Sequence, residues 1–237
     1  MIMLIRLILA HLIGDFVLQP KTWVKEKESK KIRSPKLILH ILIHGVLVLL
    51  LLGNIHYWLL ALILMILHGT IDIAKLYLQK ADNKVVWFII DQSLHLLSIL
   101  MIWLIWFNPV VSFSDLTISS NIWIYAAALL FITSASGIII QILMTNWSKS
   151  LNESDDESLV NAGKYIGILE RLFVFTFIVT GHWEGIGFLL AAKSIFRFGD
   201  LKDSKDRKLT EYILIGTLLS FAIATAMGII VLQLTQV

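Results

Sequence analysis

Apolar residues run along this chain in long blocks separated by short polar breaks. Eight blocks stand out, at about 1–19, 37–53, 57–79, 84–107, 121–145, 163–181, 183–198 and 211–234. A helix needs about twenty apolar residues to cross the hydrocarbon core of a bilayer, and it satisfies its own backbone hydrogen bonds while doing so. The pattern therefore predicts an all-α fold: a polytopic transmembrane helix bundle of about eight membrane segments, seven or eight of them spans. The seventh, HWEGIGFLLAAKSIFRF, is the shortest and carries glycines, so a tilted or re-entrant course is its alternative. The breaks divide the chain into a four-helix membrane half (1–107), a connecting region (108–162) holding the span 121–145, and a three-segment membrane half (163–237).

Composition agrees with the pattern. Hydrophobic residues make up 57% of the 237, charged residues only 16%, and the mean hydropathy is +0.81. A soluble domain of that make-up would lack the polar surface to cover itself. The absence of cysteine excludes disulfides, thiolate metal ligands and a thiol nucleophile. The first block has a lone early Arg6 and no small-residue cleavage site, so it is expected to be retained as a span rather than removed as a signal. The net charge of +3 comes from breaks between blocks. KTWVKEKESKKIRSPK (21–36) holds seven Lys/Arg against two Glu, whereas 108–121 holds neither Lys nor Arg. That alternation predicts cytoplasmic basic loops with both termini outside, and no nucleic-acid-binding face. Trp58, Trp103, Trp106, Trp123 and Trp183 then fall near the outer interface. The acidic NWSKSLNESDDESLVNAGK is expected to be a cytoplasmic linker.

Ionisable residues inside the blocks change the picture. His11 and Asp15, His40 and His44, His68 and Asp72, and Asp91 and His95 each stand four apart on one of the first four helices. Residues four apart share a helix face. Because successive helices reverse direction, all four pairs fall at a similar depth, toward the cytoplasmic ends. The outer stretches GVLVLLLLG, WLLALILMIL and LLSILMIWLIWF carry no ionisable group. An Asp at mid-membrane costs roughly 2.5–3.5 kcal/mol on insertion scales, so these groups are expected to turn inward and share partners. Imidazole with carboxylate is the donor set that holds Zn, Fe or Mn in helix bundles. His11, Asp15, His44, His68, Asp72, Asp91 and His95 are the expected ligands of one or two divalent transition-metal ions. His40, near the helix start, is read instead as an interfacial residue, like His56 and His182. Lys75 is expected either to satisfy Asp72 or to contact substrate.

In the second half, Gly163 with Gly167 and Gly181 with Gly185 have the spacing of close helix packing. Arg171, Lys193 and Arg197 form a potential cluster for an anionic group, balanced by Glu170 and Glu211.

The stretches LILAHLIGDFVLQP, LHILIHG, LHGTIDIAK and DQSLHLL resemble an uncharacterised bacterial multi-pass membrane protein family, domain of unknown function 3307. GKYIGILERLFVF, GFLLAAKSIFRFGDLKD and EYILIGTLLSF are similar to the C-terminal part of its longer members. The resemblance implies a multi-pass protein of the bacterial cytoplasmic (inner) membrane, and it brings no activity or cofactor. In residue types alone, the His/Asp spans are also similar to membrane-bound metal-dependent hydrolases.

The reading that follows is an integral-membrane, metal-dependent hydrolase. Asp15 or Asp91 would act as general base, and Arg171, Lys193 and Arg197 would hold an anionic substrate, phosphorylated or lipid-linked, at the cytoplasmic face. Two other functions use the same residues: a proton or divalent-metal transporter, and a non-enzymatic membrane partner docking a cytoplasmic protein through 21–36.

Overall fold

A computed structural model describes residues 2–80, 83–109, 118–145, 157–197 and 204–235, with the side chains of 118–120, 157–162, 196–197 and 204–209 not described. The acidic stretch 146–156 lies outside these residues, as do the centre of the 108–121 break and the basic break at 198–203. Every regular element among the described residues is helical, as the block pattern predicts. Two compact units divide the chain, Met1–Ala127 and Ala128–Val237.

The first unit contains α1 (Ile2–Leu12), continued by a π-helical turn over Ile13–Val17, then α2 (Lys21–Lys30), α3 (Pro35–Leu52), α4 (Trp58–Leu78) and α5 (Lys84–Phe107). Local chemistry fixes these ends. Pro35 opens α3, where its missing N–H is harmless, and Gly53 closes it at a φ of 68°, a left-handed cap that glycine adopts without strain. Asn108, at a φ of 38°, ends α5 just before Pro109. The basic break is itself helical: after Pro20 the chain bends by 84° between Ile2–Val17 and Lys21–Arg33.

The apolar core of this unit comprises Leu7, Ala10, Val48, Leu52, Leu60, Ala61, Leu64, Ile99 and Trp103. On each helix these positions are displaced from the His/Asp pair in the direction that the antiparallel order makes common to all four. The unit thus has a dry end and a polar end. Trp103, expected at an interface, is buried in the dry end.

The second unit contains the end of α6 (Ile118–Leu130), a π-helical turn at Phe131–Ala135, α7 (Ser136–Leu143), α8 (Glu157–Val179), α9 (Glu184–Arg197) and α10 (Ser204–Thr235). Val174, Ile178, Phe221 and Ala224 form the core between α8 and α10.

Among the described residues, five helical stretches are long and apolar enough to cross a membrane: Pro35–Leu52, Ile55–Leu78, Lys84–Phe107, Asn121–Leu143 and Thr210–Thr235. The bent pair at the N-terminus makes a sixth if counted as one span. α8 and α9, which carry the sixth and seventh expected segments, are not among them. α8 opens on polar sequence and includes Glu170 and Arg171, and α9 has only 14 residues. Large apolar side chains such as Leu50, Ile105 and Phe188 face outward, which suits a membrane protein with lipid as its solvent.

Of the glycines expected to pack, Gly185 does so against the Phe177 ring, while Gly163 has open space around it and Gly181 serves a turn at a φ of 79°. α8 and α10 approach closely at Gly228, where a Cβ would lie 2.8 Å from Cγ2 of buried Ile178. Gly228→Ala should destabilise the protein by about 1–3 kcal/mol through overpacking. Gly163→Ala should be neutral or slightly stabilising. Thermal melts of the detergent-purified variants will separate the two.

Candidate metal centre

All four polar pairs meet in one place. The π turn after α1 widens the helix at Asp15, and such single turns recur at functional positions. Gly14 makes room there, since a Cβ on it would fall 2.4 Å from Cε1 and Nε2 of His44. Asp15 Oδ1 thereby sits 3.0 Å from His44 Nε2, 3.2 Å from His40 Nε2 and 3.6 Å from His68 Nε2. His11 Nε2 lies 3.9 Å from Asp15 Oδ2. Asp72 Oδ1 is 3.6 Å from His95 Nε2, and Asp91 Oδ1 is 3.3 Å from the same nitrogen.

The imidazoles are arranged by their packing. His44, His68 and His95, from three different helices, stack with ring centroids 3.7 and 4.1 Å apart and planes tilted by 24° and 23°. His40 closes the group, with Nε2 3.1 Å from His68 Nε2 and 2.9 Å from the Gln19 amide. Expected at a solvated helix start, it is buried here because α2 and its approach fold over the start of α3. Gln92 bridges three members, reaching His11, Asp15 and Asp91 at 3.2, 3.0 and 3.2 Å. His56 and His182 stand apart, exposed on turns.

Two ammonium groups complete the cluster. Lys75 Nζ is 2.8 Å from Asp91 Oδ2; its partner is Asp91 rather than the Asp72 expected from helix spacing. Asp72 is instead held by Lys27 at 2.7 Å, a nearly inaccessible pair. Sequence reading missed Lys27 because it sits among seven cations in a segment that looks like an interfacial loop. The signal available was the spacing of α2: Trp23 and Lys27 stand one turn apart, on the side that turns toward the bundle. Glu28 ties α2 further, to Gln79 and Lys84, and the Lys31 ammonium donates to the Leu76 carbonyl.

This set fits a cation chemically. Three donor groups have ligand atoms within 4.8 Å of one another: His11, Asp15, His44 and His68; His40, His68 and Asp72; and Asp15, Asp91 and His95. Asp91 Oδ1 and His95 Nε2, both buried, face each other at 3.3 Å as a carboxylate–imidazole contact. A cavity of about 20 Å³ lies between the rings of His11, His44, His68 and His95 and the apolar residues Leu7, Val48, Leu64 and Ile99. That is room for about one water molecule.

The expected anion-binding residues belong to the second unit and are already engaged there. Arg171 is buried, with Nε donating to the Ile132 carbonyl, which the π turn draws out of the regular helix ladder, and Nη1 3.4 Å from Ser220 Oγ. Lys193 is paired with Glu170 at 2.7 Å. The Arg197 side chain lies outside the described residues.

Lys27→Met leaves the Asp72 carboxylate buried without its cation, which typically costs about 3–5 kcal/mol. A lowered melting temperature and faster proteolysis at 21–33 are the expected outcome. Lys25→Met, at an exposed position of the same helix, should change neither.

Residues 3–125 match the family described as "Protein of unknown function (DUF3307)". No curated protein and no solved structure shows detectable similarity to the chain. The family match takes in α1 to α5 and every residue of the cluster, and covers more than half of the sequence: the chain belongs to the DUF3307 family.

Proposed function

We propose that this membrane protein is a metal-dependent hydrolase, with a divalent transition-metal ion (Zn, Fe or Mn) held by the His/Asp cluster. The observation that carries the reading is the convergence of five imidazole Nε2 atoms and three carboxylates from four helices, beside a cavity sized for one water. An ion in such a site lowers the pKa of its water toward about 7 and orients it. Asp91 and His95, 3.3 Å apart, would take the proton of the attacking water and return it to the alcohol that leaves when a phosphate or acyl ester is hydrolysed.

An anionic substrate, phosphorylated or lipid-linked, suits the cationic segment 21–36, which would reach it from the cytoplasmic side of a bacterial inner membrane. Arg171 and Lys193 could contribute only by exchanging their present partners for the substrate's anion.

Elemental analysis of the detergent-purified protein tests the reading. Near-stoichiometric transition metal is expected, falling at least tenfold in His68→Ala and unchanged in His56→Ala and His182→Ala. Metal at trace level in the unaltered protein overturns it. Metal-loaded protein should also cleave an aryl phosphate ester, and a chelator should abolish that turnover. Gly14→Ala should displace the His44 ring and weaken metal binding by roughly 10- to 100-fold, the range seen when support of a ligand is lost. Gly187→Ala, which meets nothing within 4 Å, should not.

A further inference from the structure

The three donor groups overlap, so they compete for ions. The group His11, Asp15, His44 and His68 shares His68 with the group His40, His68 and Asp72. An imidazole Nε2 has a single lone pair, so those two cannot be filled together. The group Asp15, Asp91 and His95 shares only Asp15 with the first, and a carboxylate can bridge two ions. Donor chemistry alone would therefore allow a two-ion centre.

Charge decides otherwise. Each group contains a carboxylate, and two of the three already hold an ammonium: Lys27 on Asp72 at 2.7 Å and Lys75 on Asp91 at 2.8 Å. Among the described residues no lysine or arginine lies within ion-pair distance of Asp15. Three carboxylates face two ammoniums, which leaves Asp15 as the carboxylate open to a cation. A second ion on Asp72 or Asp91 would stand beside the ammonium already bound to that carboxylate, and like charges so close in a low-dielectric interior are prohibitive. Three of the four donors around Asp15 also border the water-sized cavity, so an ion there has a vacant coordination direction.

Resting on the metal reading above, we infer that the centre takes one divalent ion, at His11, Asp15, His44 and His68. In this arrangement Lys27 and Lys75 act as built-in counter-cations, occupying the places a second ion would need. Both are positioning residues. They leave Asp72 and Asp91 paired and unavailable, and they steer the ion to Asp15, whose neighbours His11, His44 and His68 border the cavity.

Equilibrium dialysis of the full chain in detergent against Mn²⁺, followed by elemental analysis, tests the inference. One ion per chain is expected for the unaltered protein and for Lys75→Arg, and close to two for Lys75→Met. Asp15→Asn should lose the ion, while Asp91→Asn keeps it. Two ions in the unaltered protein overturn the inference and leave the metal reading standing. One ion in a folded Lys75→Met removes the role assigned to that lysine and also overturns it. Should Lys75→Met fail to fold, the electron paramagnetic resonance of Mn²⁺ in the unaltered protein decides: isolated six-line spectra support a single ion, and exchange-coupled spectra overturn it. No bound ion at all overturns the metal reading, and this inference with it.

Discussion

Three aspartates buried in a helix bundle meant for lipid must be neutralised, and the first unit is organised around that requirement. Each carboxylate carries a desolvation penalty that a packed apolar neighbour cannot relieve. The chain meets the demand with five imidazoles, a bridging glutamine and two lysines drawn from different elements. Asp72 takes its ammonium from α2, Asp91 takes one from α4, and Asp15 is surrounded by ring nitrogens alone. The remaining length of the same helices supplies the apolar cluster from Leu7 to Trp103, which needs no polar partner. Packing at one end holds the helices at the separation that the polar end requires.

Local backbone features serve the same constraint. The π turn over Ile13–Val17 carries Asp15 to three rings at once, and any side chain at position 14 would collide with one of them. The bend after Pro20 returns the chain over the polar end, so that a residue sixteen positions beyond His11 becomes part of the buried site. In the second unit a π turn plays a comparable part, offering the Ile132 carbonyl to both Arg171 and Ser136 and so giving a buried guanidinium a backbone partner.

The helical architecture and the cluster's membership were largely legible in the sequence, because both follow from periodicity. Apolar blocks mark helices, pairs four apart mark a face, and alternating helix direction brings those faces to one level. Lys27, Lys75 and His40 were misread for a common reason. Their partners lie on other helices, and spacing within one helix carries no information about them. Lys75 stands one turn from Asp72 yet reaches across to α5, since Lys27 already fills the space at Asp72. Gly14 leaves no signal in the sequence, because its significance is a clash that arises only once His44 is in place. Trp103 shows the converse: an aromatic near a helix end reads as an interfacial anchor until a neighbouring helix covers it.

Where the polar and apolar ends meet bears directly on the choice between chemistry and transport. A transporter needs its site to open toward both sides in turn, with polar groups or water along each route. Here the cavity is bounded on its inner side by the rings and on the other by Leu7, Val48, Leu64 and Ile99, beyond which Leu52, Leu60 and Trp103 continue the dry packing. Conduction would require four helices to part along their best-packed length. The opposite side is closed by α2, whose buried contact with the bundle is a lysine and whose other ties are polar. The outer ties of Glu28 to Gln79 and Lys84 can be exchanged for those of an incoming anion at little net cost, whereas an apolar seal can be opened only by exposing it. The asymmetry favours a site approached from one face, and a reaction that begins and ends there.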